Sequence, residues 1–176
     1  MSRARTLANF VGGASTIVGN PTFTGTTVGA GKVLKVSISN ITASSTRASA
    51  TSFADDLDFG SFTPSTSNST VFIQGVAAIN CQYQKYLHLK WVVNGTDYLS
   101  TGTTPTYTYG LYNGDGGNSR LDGYPIFTSV SNTDGSAITV VAQAKIHASG
   151  TLYMNRTITA SLGGAPSSVI FTEVSN

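Results

Sequence analysis

Charge is scarce in this 176-residue chain: charged residues make up 10% of it, under half of the ~25% usual in a soluble globular domain. There is one glutamate, Glu173, and there are five lysines. A helical bundle needs Glu, Lys, Arg and Gln on its exposed faces, so that architecture is excluded. Nucleic-acid binding that works by charge is excluded for the same reason. Cysteine occurs once, at Cys81, which forbids an intrachain disulfide. It ends the apolar alternation of residues 71–81, the setting of a buried, inert thiol rather than a nucleophile. No apolar run approaches the ~20 residues of a membrane span. The apolar stretch 7–11 contains Asn9 and stops at Gly12-Gly13, too short for the core of a signal peptide.

What is abundant is small and neutral. The chain holds 22 Ser, 25 Thr, 19 Gly and 11 Asn, close to half of its length. Hydrophobic residues at 40% and aromatics at 10% are too many for an unfolded chain. The expectation is a compact β-rich domain surfaced by Ser and Thr. The net charge of +2 has a location. Arg3 and Arg5 supply it, and the remaining basic and acidic residues balance. A neutral body gives little electrostatic steering.

Three zones follow along the chain. In residues 1–12, Leu7, Phe10 and Val11 fall at helical spacing, enough for one amphipathic turn. Such a turn is marginal alone and makes sense as a peptide that orders on docking. Residues 13–31 are rich in Gly and Thr around Asn20-Pro21. They read either as an extended linker or as a short strand that pairs with copies of itself. Residues 32–176 read as about eight strands. Residues 32–41 alternate, with Leu34, Val36 and Ile38 on one face and Lys35, Ser37 and Ser39 on the other. Further runs are 57–62, 71–81, 86–93, 97–99, 106–112, 125–130, 137–148 and 168–174, with Leu152 and Met154 as a short addition. Asn94-Gly95 and Asp134-Gly135 are strong turn signals. Many short strands at this spacing predict an all-β antiparallel sandwich, jelly-roll-like in kind.

Enzyme signatures fail one by one. Gly31-Lys32 is followed by Val33 and lacks the first glycine of a phosphate-binding loop. Gly29-Ala30-Gly31 has no third glycine and opens a strand, so the dinucleotide reading fails. There is no Gly-x-Ser-x-Gly elbow. His88 and His147, the two histidines, lie on strand faces opposite the apolar side and make a poor zinc set with one cysteine. Asp55, Asp56 and Asp58 read as turn chemistry, with a calcium site as the sharper alternative. The sequons at Asn40, Asn68, Asn94 and Asn155 are no more than this composition gives by chance. The chain is expected to be non-enzymatic, with no catalytic residue, no metal and no cofactor.

One stretch carries recognition chemistry. Residues 107–124 hold Tyr107, Tyr109, Tyr112, Asn113, Asp115, Asn118, Arg120 and Tyr124 among glycines. Tyrosine gives rigid amphipathic contact area, and Asn, Ser and Gly give adaptable hydrogen bonds. This suits a polar ligand such as a host-surface glycan. The plainer reading is a long polar connection whose tyrosines cover a sheet edge.

The start Met-Ser-Arg-Ala-Arg-Thr-Leu-Ala and the segment Asn-Pro-Thr-Phe-Thr-Gly-Thr-Thr at 20–27 resemble tail-fibre and virion surface proteins of marine bacteriophages. Gly-Lys-Val-Leu-Lys-Val at 31–36 is similar to the strand that opens their terminal β-domain. The string Phe-Thr-Pro-Ser-Thr-Ser-Asn-Ser-Thr-Val at 62–71 is similar to a link between two of its strands. Gly-Thr-Leu-Tyr-Met-Asn-Arg at 150–156 and Ser-Ser-Val-Ile-Phe-Thr-Glu-Val at 167–174 carry the resemblance furthest. It implies a β-sandwich, often a homotrimer, outside a virion, and transfers no catalytic residue. A single shaft-like repeat departs from the many of long fibres. The expectation is therefore a short trimeric tail fibre or spike contributing to host attachment. A capsid decoration or cement protein without a ligand is the alternative. Residues 1–12, through Arg3, Arg5, Leu7, Phe10 and Val11, would anchor it to other virion proteins. Neither nucleic acid nor membrane insertion is expected.

Overall fold

The computed structural model describes residues 31–82, 86–98, 111–112, 122–146, 150–157 and 164–176. The predicted anchoring peptide and all but one residue of the linker lie outside these residues, as does most of the 107–124 stretch. The chain divides at Ala30/Gly31, and the second unit, Gly31–Asn176, is the sandwich. Among the described residues every regular element is a strand.

The first sheet contains β1 (Val33–Ile41), β4 (Ser69–Cys81), β8 (Asp122–Asn132) and β11 (Ser167–Ser175). They lie side by side in the order β1-β11-β4-β8, all antiparallel. Two three-residue strands, β2 (Ser45–Arg47) and β10 (Leu152–Met154), extend it past the end of β11. The second sheet contains β3 (Ala54–Phe62), β9 (Ile138–Ile146) and β5 (Tyr86–Val93) in that order. Beyond β5 lie the short strands β6 (Thr96–Tyr98) and β7 (Leu111–Tyr112). From β2 to β5 and again from β7 to β10 every connection crosses from one sheet to the other, which gives the expected antiparallel sandwich its jelly-roll-like order.

Alternation decides which side of each strand is buried. On the second sheet Leu57, Leu87, Leu89, Trp91, Val93, Val140, Ala142, Ala144 and Ile146 face inward. Val71, Ile73, Ala77, Ile79, Ile126, Val169 and Phe171 meet them from the first sheet. Two aromatic pairs stiffen the core, one within the second sheet and one across the layers. Phe59 stacks on Trp91 at 5.5 Å between centroids, and Phe62 of β3 stacks on Phe171 of β11 at 5.1 Å. Such pairs add about 1 kcal/mol each beyond area burial. Cys81 is buried, as the alternation around it predicts.

The turn signals hold. Asn94 and Gly95 both take positive φ, 50° and 75°, and join β5 to β6 in a two-residue hairpin. Gly135 has φ 78°, and the Ser136 N–H donates to the Asp134 carboxylate beside it. That bond holds the Asp134 carboxyl below its ordinary range.

Strand β3 departs from simple alternation. Its register with β9 shifts twice, around Asp56 and again before Ser61. The second bulge has Gly60 at φ 74°, where the Gly60 N–H donates to Asp58. The extra residue brings Phe62 back to the core side, so that Leu57, Phe59 and Phe62 are all buried. Asp55, Asp56 and Asp58 therefore lie within a strand rather than before one.

Candidate functional site

The outer face of the first sheet is the surface that strand pairing builds most completely. Residues directly opposite each other share a face, so each register pair extends a row. One row runs Ile38, Ile170, Gln74, Phe127 across four strands. The next runs Val36, Thr172, Phe72, Ser129, and a third Asn40, Ser168, Val76, Pro125. None of these twelve positions carries a charge. Several are large, apolar and open: Phe127 is 73% exposed, Ile38 59% and Val36 56%. The predicted apolar alternation of β1 is thus present, but Val36 and Ile38 point away from the core. The inward positions of β1 hold Ser37 and Ser39, opposite Phe171 and Val169. The register to β11 fixes this, because Val169 and Phe171 must face inward. A groove of about 390 Å³ opens on this face, lined by Gln74, Val76, Phe127, Ser168 and Ile170 among others.

The outer face of the second sheet has the opposite character. Asp55, Gln143 and Lys90 form one row, and Lys145 lies opposite His88. Both ammonium groups sit over the Phe53 ring, Lys90 at 5.0 Å and Lys145 at 4.7 Å from its centroid. Lys90 also pairs with Asp97 at 2.9 Å. His88 lies on this outer face, as expected, and His147 lies outside the described residues.

The aspartates are spoken for. Asp56, its side chain 2% exposed, takes a two-pronged contact from Arg47, Nε to Oδ1 at 2.6 Å and Nη2 to Oδ2 at 2.9 Å. Its Oδ2 also accepts the Ala144 N–H, and Arg47 donates onward to the Ala144 carbonyl. Asp55 accepts from the Gln143 amide. Their work is to hold β2, the β3 bulge and β9 together. Among the described residues no cluster of three His, Cys, Asp or Glu side chains is arranged to hold a metal.

A second pocket, about 350 Å³, is lined by Thr42, Ser44, Asn155, Arg156 and residues 164–166. Asn155 is a structural clip. Its amide donates to the Ile41 and Ala43 carbonyls at 2.9 Å each, and its oxygen accepts from the Ser167 hydroxyl. Being buried, it is no glycan acceptor. Arg156 is engaged with the Tyr153 ring and the Thr157 carbonyl.

The predicted recognition residues separate. Tyr124 is 2% exposed on the core side of β8, because its partner there, Ala77, faces inward. It is a core residue and not part of an open loop. Tyr112 lies on β7, opposite Tyr86. Tyr107, Tyr109, Asn113, Asp115, Asn118 and Arg120 lie outside the described residues, as do Arg3, Arg5, Leu7, Phe10 and Val11. Sequence reasoning missed the outer face of the first sheet. Its signal was available in the apolar residues at every second position of β1, once β11 is known to bury the other side.

A scan against models of known protein families finds no match to this chain, and a search of curated proteins finds none either.

Proposed function

We propose that the chain is a non-enzymatic structural protein displayed on the outside of a bacteriophage virion. In this reading it is a short trimeric tail fibre or spike that contributes to host attachment. Residues 1–12 hold it to other virion proteins, and residues of the 107–124 stretch other than Tyr124 meet a host-surface glycan. The observation that supports it best is the uncharged, apolar outer face of the first sheet on a rigid sandwich. A face of that kind belongs to a protein that works in an assembly. The neutral, Ser/Thr-rich composition and the resemblance of the chain ends point the same way.

The attachment role rests on tyrosines and an arginine that offer contact area and charge-assisted hydrogen bonds. Changing Tyr109, Tyr112 and Arg120 together to Ala is expected to cut virion adsorption to host cells at least tenfold while particle assembly continues. Adsorption unchanged by the triple substitution would remove host binding through this stretch. The decoration reading would then be the better one, since it needs no ligand.

A further inference from the structure

We propose that copies of this chain meet through the outer face of the first sheet, with Phe127 of one copy entering the groove beside Val76 and Ile170 of the next. This rests on the reading that the chain acts as an oligomer, and it names the surface by which it does so.

Four observations lead there. The first is the orientation of β1. An edge strand that places Val36 and Ile38 in water and Ser37 and Ser39 toward the core inverts the usual preference. The register to β11 sets the orientation, and apolar side chains on the outer side gain free energy when that side is covered. The second is charge. The face has none across three full rows of four strands, whereas the opposite sheet carries Asp55, Lys90, Asp97 and Lys145. A neutral face docks on its own copy without like-charge repulsion, and depletion of charge with an aromatic anchor marks interface cores. A partner surface of strong charge would find nothing here to pair with.

The third is size. Strands about 4.8 Å apart and ~3.3 Å per residue give four strands of nine residues or more a flat area of about 570 Å². That is of the order of the ~800 Å² of accessible surface that each partner buries in a standard interface. The fourth is shape. Phe127, 73% exposed, stands beside a groove of about 390 Å³. A knob and a hole carried by the same chain let one copy fit the next, and such a contact closes into a ring where its rotation permits. A Phe ring filling such a hole is the kind of anchor that dominates binding energy.

The test uses the full chain and its mass in solution by light scattering over a dilution series. The variant is Ile38→Lys with Phe127→Asp, both at open positions whose change leaves the core of each sandwich intact. A control, Lys90→Ser with Lys145→Ser, alters the opposite face. The unchanged chain and the control should assemble. The face variant should run as a single chain, with association weakened about 30-fold or more, while its circular dichroism stays that of a folded β-protein. A mass of three copies agrees with the spike, and a mass of two keeps the face but overturns the trimer. If the face variant assembles like the unchanged chain, the copies meet elsewhere and the proposal fails, although an oligomer remains. A single chain at every concentration before any substitution overturns both. Virions that never contain the protein would overturn the display reading and leave the face standing.

Discussion

Glu173, the sole glutamate, is completely buried, with 0% of its surface exposed. Burial alone raises a carboxyl's pKa, and it is the largest single influence here. The Ser65 and Thr66 N–H groups and the Ser65 and Ser69 hydroxyls together outweigh it and hold the group below its ordinary 4.5. The Ser65 N–H lies 2.8 Å from Oε2, and the Ser69 hydroxyl 2.9 Å from Oε1. Asn132 steadies the cluster by donating to Ser69 and to the Thr66 carbonyl. The carboxylate thereby pins the β3–β4 connection to the last strand. A folded-state pKa below the unfolded value contributes stability that is present above the unfolded pKa and is lost as pH falls through the folded one. Glu173→Gln should cost about 2 kcal/mol at neutral pH, from charge-assisted bonds lost in a buried place. Denaturant titrations at a series of pH values check it. Unfolding free energy should fall on acidification below about pH 4.5, and the variant should lack that part of the fall. Equal slopes for the two proteins would contradict the account.

At the scale of elements, the two informative glycines differ in what they permit. Gly95 has positive φ with open space around its Cα, so Gly95→Ala pays only backbone strain of about 1 kcal/mol. Gly75 sits in the middle of β4, where an added Cβ would lie 2.6 Å from the Ser168 carbonyl oxygen and 2.8 Å from a Val169 methyl. Backbone cannot yield as a side chain does, so Gly75→Ala should cost more, ~2–3 kcal/mol, and part β4 from β11. Thermal unfolding of the two variants orders them, and a larger loss for Gly95→Ala would contradict this packing. Most strands were legible beforehand, because alternation and turn residues are local signals. The spans of β1, β5, β9 and β11 fall within two residues of the predicted ones. The strand β2 was not legible: Ser45, Thr46 and Arg47 have no apolar pattern, and a tertiary contact, Arg47 on Asp56, decides them. The aspartates of β3 looked like a turn because bulges imitate turn composition. Tyr124 looked like a loop residue because its sequence neighbours are Gly and Asp. Its burial depends on pairing with a strand nearly fifty residues away.

The whole sandwich is two-sided. One outer face is neutral and apolar, while the other carries paired and ring-stacked lysines. The charged face suits water, and the neutral face suits another copy of the chain. The alternation of β1 was readable from sequence, but its direction was not, since period-2 patterning says which residues share a side and not which side is the core. The proposed display on a particle rests on composition and on the resemblance described above, and it is tested on the assembled particle. Purified virions labelled with antibody raised against the folded 31–176 unit, and viewed by negative-stain electron microscopy, make the most direct measurement. The account predicts gold confined to the tail. Label spread over the capsid faces would contradict the spike in favour of the decoration reading, and virions without label would contradict display altogether.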